Sequence, residues 1–162
     1  MIAIGIDPGT RRVGYGVVSC AARGGAVELI DAGILAIGAT NDADAFEEIQ
    51  SGIDALIVKY RPNVVAVEKL FFSKNTKTAL AVAQARGVII LALRARGVII
   101  KEYTPNEVKL GVAGYGMADK KAVLKMVRLI LNDPAIDVID DASDALALAI
   151  LSTGDRSLDM AQ

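Results

Sequence analysis

Histidine is absent from this 162-residue chain, and cysteine occurs once, as Cys20. Without histidine, imidazole general bases, serine–histidine triads and most zinc sites are excluded. A single cysteine excludes an internal disulfide, and the first residues show neither the basic start nor the long apolar stretch of a signal peptide. We therefore expect a protein of the reducing cytoplasm.

Long apolar runs are also missing. The longest, 88–93 and 145–151, fall well short of the roughly 20 residues that cross a bilayer. Apolar residues nevertheless make up 53% of the chain, enough for a buried core. The composition predicts one domain over residues 1–154, a disordered tail over 155–162, and no membrane span.

Any metal site in this chain must rest on oxygen ligands, because histidine is lacking and cysteine is single. Hard oxygen donors suit Mg²⁺ or Mn²⁺, which activate water without a protein base. Composition therefore favours carboxylate and metal chemistry.

Charge is unevenly distributed although the net charge is only −1. Residues 59–128 hold 14 Lys or Arg against 4 Asp or Glu, whereas both flanking segments are acidic. A basic middle is typical of nucleic-acid binding, and it is equally compatible with solvated helix faces.

The order of predicted elements is βββ, α, β, α, β, α, α. The first three strands, 2–6, 13–19 and 26–37, are predicted to form an antiparallel meander with a turn at 23–25. Further predictions, from periodicity and apolar runs, are helices over 44–60, 74–95, 118–131 and 140–151 and strands over 63–67 and 98–103. This order implies an α/β fold, a mixed sheet with helices packed on its faces.

Four carboxylates stand at the ends of these elements. Asp7 ends the first strand, and Glu68 directly follows the apolar run 64–67, so both are expected at one sheet edge. Asp141 and Asp144 share one face of the last helix. Read singly, Asp7 is also compatible with a turn, Glu68 with the surface, and the helical pair with capping by Asp140. Together they predict a site where two divalent ions clamp a phosphate for phosphodiester hydrolysis.

Several blocks of the chain resemble RuvC, the family of bacterial Holliday junction resolvases, nearly from end to end. They are Gly5-Ile6-Asp7-Pro8-Gly9-Thr10 with Gly14-Tyr15-Gly16-Val17, Val67 to Asn75, Gln84-Ala85-Arg86-Gly87, Val108-Lys109, Gly114-Tyr115-Gly116 with Lys120, and Asp141 to Ala147.

The resemblance implies a ribonuclease H-like fold with a mixed five-stranded sheet and helices on both faces. It implies a homodimer that nicks two like strands of four-way junction DNA, with a branch-migration helicase complex as partner. The catalytic metal ligands would be Asp7, Glu68, Asp141 and Asp144, holding two Mg²⁺ ions for which Mn²⁺ can substitute. Lys120 would act at the scissile phosphate, Lys109 and Lys120 would bind DNA near the cut, and Phe71 would stack at the junction centre.

Further DNA contacts are predicted from local patterns. The rings of Phe71 and Phe72 point to opposite sides in extended chain, so one is expected to be exposed for base stacking beside Lys74; cover for both rings in a loop is the alternative. A basic stripe, defined as Lys121, Lys125 and Arg128, follows one helix face and either tracks a phosphate backbone or is simply solvated.

The run 88–93 is apolar all round the predicted helix, which favours a dimer contact over burial within one subunit alone. One departure from the family is visible, because some relatives carry histidine where this chain reads Leu151-Ser152-Thr153. Two other functions stay open: an actin-like ATPase or kinase, since the Asp7 to Thr10 turn also resembles a phosphate loop, and a related protein with another nucleic-acid substrate.

Overall fold

The computed structural model describes residues 1–21, 25–70 and 76–154. Its elements are β1 (Ile2–Asp7), β2 (Arg12–Cys20), β3 (Val27–Ala36), α1 (Asp42–Tyr60), β4 (Val64–Glu68), α2 (Thr76–Ala95), β5 (Ile99–Tyr103), α3 (Pro105–Ala113), α4 (Lys120–Ile130) and α5 (Asp140–Thr153). No helix within these ranges combines the length and apolar character needed to cross a membrane.

A five-stranded sheet with the order β3-β2-β1-β4-β5 forms the centre of the fold. The pairs β1–β2 and β2–β3 are antiparallel, whereas β1–β4 and β4–β5 are parallel. The predicted meander and the predicted mixed sheet are both confirmed. The turn predicted at 23–25 lies mostly outside the described residues.

Helices cover both faces of the sheet, as expected. Because side chains alternate along a strand, Ile4, Ile6, Val65 and Val67 face α1 and α2, whereas Ala3, Val64 and Ala66 face α3, α4 and α5. The same alternation directs positions 7 and 68 toward the second face, where α5 lies.

Helix α3 was missed by the sequence prediction. Its start carries a strong signal, because Thr104 accepts from the backbone of Glu107 while the Glu107 side chain accepts from the Thr104 backbone, and Pro105 occupies the first turn. This reciprocal pattern is a capping box. The helix was overlooked because only Val108 and Val112 are buried along it, too few for a clear helical period.

Glycines allow α5 to lie directly on the sheet. A Cβ on Gly5 would overlap the carbonyl oxygen of Ala145, and a Cβ on Gly14 would overlap that of Asp141. Only residues without side chains permit so close a backbone approach. Helix α5 is thereby held against β1 at Ala145 and against β2 at Asp141, in its first turn.

Candidate acidic active site

Asp7 and Glu68 lie side by side at the end of two neighbouring strands. The parallel pairing of β1 with β4 ends at Ile6 and Val67, so Asp7 and Glu68, the last residue of each strand, lie at the same edge of the sheet. Both side chains are partly buried, and their carboxyl groups share a hydrogen bond. The predicted meeting of two strand-end carboxylates is present in the fold.

The pKa of Asp7 is raised to about 8, mainly by burial and in addition by the nearby charges of Glu68, Asp144 and Asp141. Burial also raises the pKa of Glu68, followed by the effect of Asp144, against the lowering effects of the Asp7 hydrogen bond and Lys120. Concentrated negative charge in a low-dielectric setting favours the proton-bound forms. A bound cation would offset the same repulsion.

Helix α5 brings the other two carboxylates to this edge. Asp141 and Asp144 are three residues apart near its start and are partly exposed. The capping alternative for Asp140 is wrong, since the N-cap residue is Ile139, which makes no side-chain cap hydrogen bond. Asp140 therefore does not cap the helix, and the carboxylates of Asp141 and Asp144 remain available to the site.

Two basic side chains form ion pairs with the carboxylates of Asp141 and Asp144. Arg12 Nε lies 3.0 Å from an Asp141 carboxylate oxygen, and Lys120 Nζ lies 2.9 Å from one of Asp144. Sequence reasoning missed Arg12: alternation puts it on the same face of β2 as Gly14, but only the packing of α5 on Gly14 shows that this face meets Asp141. The predicted proximity of Lys120 to the acidic residues is present.

The donor set fits a hard divalent cation, because all four side chains offer carboxylate oxygens. Within the described ranges, however, no three acidic side chains are arranged closely enough to hold a metal ion as they stand. One carboxylate oxygen of Asp141 pairs with Arg12, and one of Asp144 pairs with Lys120.

A cleft of about 220 Å³ opens beside the acidic residues. Its polar lining is Glu68 and Asp144 together with Lys109 from α3 and Lys120 from α4. Apolar walls complete it, formed by Pro105, Val108, Val123 and Leu148. Two lysines facing two carboxylates across one cleft can hold a phosphate next to bound cations.

The members of the basic stripe on α4 differ in their contacts. Lys121 and Lys125 are exposed, and both can reach a DNA backbone. Arg128 is different, because its Nε and Nη2 donate to the carbonyl oxygen of Ile136 at 3.1 and 2.9 Å. Its guanidinium thus holds the segment before α5, and the place of Arg128 in a phosphate-binding stripe stays a prediction.

Replacing Arg128 with Ala should lower the free energy of unfolding by about 1–3 kcal/mol, because two charge-assisted hydrogen bonds to a part-buried carbonyl are lost. It should leave the salt dependence of DNA binding almost unchanged. Lys125→Ala is the matched control and should do the opposite, reducing the salt dependence by about one ion without affecting stability. Thermal unfolding measures stability, and DNA binding at several salt concentrations measures salt dependence. If Arg128→Ala lowers the salt dependence without lowering stability, Arg128 belongs to the phosphate-binding stripe.

Ser152 and Thr153, in the segment where some relatives carry histidine, use their hydroxyls for hydrogen bonds within the helix. The hydroxyls of Ser152 and Thr153 are buried and donate to the carbonyl oxygens of Ala149 and Ile150. They lie within α5, which extends beyond its predicted end. Phe71, Phe72 and Lys74, predicted to contact DNA, lie outside the described residues.

Comparison with known proteins places this site in a family context. A family model described as "Crossover junction endodeoxyribonuclease RuvC" matches residues 3–152. A relative of that name from Roseiflexus sp. is 47% identical over 93% of this chain and 89% of its own, and one from Chloroflexus aurantiacus is 48% identical over 93% and 91%. Thermus thermophilus RuvC in complex with Holliday junction substrate superposes with a TM-score of 0.85 at 32% identity, covering 93% of this chain and 92% of that one.

Proposed function

Because this chain belongs to the crossover junction endodeoxyribonuclease RuvC family, we propose that it is an endonuclease that resolves Holliday junctions by metal-dependent hydrolysis of phosphodiester bonds. The observation that carries this proposal is the acidic edge where the adjacent carboxyl groups of Asp7 and Glu68 meet Asp144 beside a cleft with two lysines. The family match over residues 3–152 leaves the actin-like nucleotide-binding alternative without support.

We propose Asp7, Glu68, Asp141 and Asp144 as the metal ligands, with two Mg²⁺ ions per site and Mn²⁺ able to substitute. Divalent ions held by carboxylates supply an activated water and stabilise the leaving oxygen. The residues of the chain prepare this chemistry. Asp7 and Glu68 are fixed by adjacent strands, and Asp141 and Asp144 would hold metal with carboxylates that now pair with Arg12 and Lys120.

The lysines of the cleft orient the DNA in this proposal. Lys109 and Lys120 line the cleft from two helices and neutralise the phosphate next to the acidic edge. Lys121 and Lys125 extend the positive surface along α4. We keep Phe71, Phe72 and Lys74 as proposed junction contacts on the family resemblance alone.

A homodimer is part of the proposal and finds support on α2. Of the apolar run 88–93, Ile89, Ala92 and Leu93 are buried in the subunit, whereas Leu91 is 69% exposed. An exposed stripe runs along one face of the helix at spacings of four, three and four residues, formed by Leu80, Gln84, Gly87 and Leu91. Large exposed leucines on one helical face favour contact with a second copy.

Leu91→Glu should convert the dimer to a monomer, because a carboxylate cannot be buried in an apolar contact without a partner. Leu129→Glu is the matched control, since Leu129 is 62% exposed on α4, outside the α2 stripe. Sedimentation at micromolar concentration should give half the mass for the first variant and an unchanged mass for the second. A wild-type protein that sediments as a monomer contradicts the dimer.

Substrate comparison tests the proposed function. In Mg²⁺, a labelled four-way junction should be cut in two like strands much faster than duplex or single-stranded DNA of the same sequence. Equal cutting of all three would point to a related nuclease with another substrate.

Three further points stay predictions: association with a branch-migration helicase complex, a cytoplasmic location, and a single nuclease domain over residues 1–154.

A further inference from the structure

Arg86 connects helix α2 with the strand end that carries Glu68. Its side chain is only 20% exposed. Nε donates to the backbone carbonyl oxygen of Glu68 at 3.0 Å, and Nη2 forms an ion pair with Glu102 on β5. One guanidinium therefore joins α2, β4 and β5 at the acidic edge.

The Glu68 backbone is paired with Tyr103 on β5 but lies just past the end of the pairing with β1. The β1–β4 ladder ends one residue earlier, at Ile6 and Val67, while Lys69 N still donates to the Tyr103 carbonyl. Arg86 supplies a donor to the Glu68 carbonyl just beyond the last β1–β4 pair. The orientation of a side chain follows that of its peptide unit, so this contact restrains the direction of the Glu68 carboxylate.

The chemistry of the contact favours fixed geometry. Guanidinium is planar, always charged and able to use separate N–H groups for the carbonyl and the carboxylate at once. Glu102 compensates a charge that would be costly to leave unpaired when mostly buried. A lysine in its place has no rigid fork and cannot reproduce both directions.

We propose that Arg86 is a positioning residue for Glu68, holding that carboxylate in the direction required to bind metal, with Glu102 fixing the guanidinium. This role rests on the proposed function, because it assumes that Glu68 is a metal ligand. Groups that orient metal ligands typically change metal affinity or activity by about 10–100-fold when removed.

Variants of both partners test the role against a matched control. Arg86→Met removes both contacts, Arg86→Lys retains the charge, and Glu102→Gln leaves the guanidinium without its ion pair. Arg96→Met is the control, because Arg96 follows the same helix and pairs with Asp54 at 2.8 Å on α1, without a contact to Glu68. Thermal unfolding of each variant measures the purely structural contribution.

Metal binding without DNA is the first readout. Calorimetric titration with Mn²⁺ should show binding about 10-fold weaker or more for Arg86→Met, a smaller loss for Arg86→Lys and Glu102→Gln, and wild-type binding for Arg96→Met. Single-turnover cleavage should require correspondingly more metal for its half-maximal rate. Junction affinity in EDTA should be unchanged, because no DNA contact is removed.

The outcomes distinguish a role in positioning Glu68 from an effect on stability alone. If Arg86→Met and Arg96→Met lower thermal stability alike while Mn²⁺ binding stays at the wild-type level, the positioning role is wrong. If Arg86→Met does not fold, unchanged Mn²⁺ binding by both Arg86→Lys and Glu102→Gln overturns it in the same way. If Mn²⁺ binding weakens as expected but the wild type cuts no junction, the positioning role stands and the proposed junction activity fails.

Discussion

Asp7→Asn is expected to reduce junction cleavage by at least about 10³-fold while junction binding in EDTA stays at the wild-type level. Asparagine has nearly the volume of aspartate but cannot present a carboxylate to a cation. Asp7 has the most perturbed environment of the site, with its pKa raised by burial and by three neighbouring acidic groups. Removing it takes away the ligand around which the others are gathered.

Stability should not fall with this substitution. Because its pKa is raised, folding at neutral pH requires Asp7 either to take up a proton or to keep a buried charge among like charges. Both cost free energy, so a neutral residue at position 7 should leave the Tm unchanged or raise it. Asp54→Asn serves as the control, because it makes the same chemical change in an ion pair with Arg96 on another surface. Single-turnover rates, gel-shift affinities and thermal unfolding measure the three properties, and a parallel loss of binding and cleavage would contradict the ligand role of Asp7.

Lys120→Ala is expected to slow cleavage at saturating protein by about 10²-fold or more, with little change in junction affinity. Lys120 lies at the start of α4, pairs with Asp144 at 2.9 Å and lines the cleft beside Glu68. The hydrogen bond to Asp144 raises the pKa of Lys120, which favours the ammonium form further. A fixed positive charge at the scissile phosphate stabilises charge developing in the transition state more than it stabilises bound DNA.

Neighbouring lysines provide the contrast. Lys121→Ala and Lys125→Ala should each weaken binding modestly on any DNA sequence and lower its salt dependence by about one ion, without slowing the step at saturation. Their side chains are exposed on α4. If Lys120→Ala behaves as these two do, its catalytic role is wrong and α4 is a uniform electrostatic surface.

The acidic edge could be predicted because its geometry follows from local sequence. Asp7 and Glu68 each end an apolar strand, and neighbouring parallel strands bring such ends together. Asp141 and Asp144 share a helix face by spacing alone. The approach of that helix to the sheet depends on glycines at positions where a side chain would collide with its backbone, which no periodicity reveals.

The binding partners of the arginines could not be predicted, because they lie on other segments of the chain. Arg128 follows the basic spacing of Lys121 and Lys125, yet it binds Ile136 in a segment without any regular period. Arg12 and Arg86 reach their acidic and carbonyl partners only when α5 and α2 pack on the sheet. Charge spacing along one element indicates which side chains share a face, but tertiary structure decides what they bind.

Cleavage of a supercoiled plasmid with an extruded cruciform tests most directly whether two acidic sites in one dimer resolve a junction. With Mg²⁺, coordinated cuts in two like strands should yield linear plasmid without accumulation of nicked circles, and Asp7→Asn should yield neither product. A cruciform with homologous arms lets the branch point sample many sequences. Nicked circles as the final product, or equal cutting of a plasmid without the cruciform, would contradict the resolution of junctions by this protein.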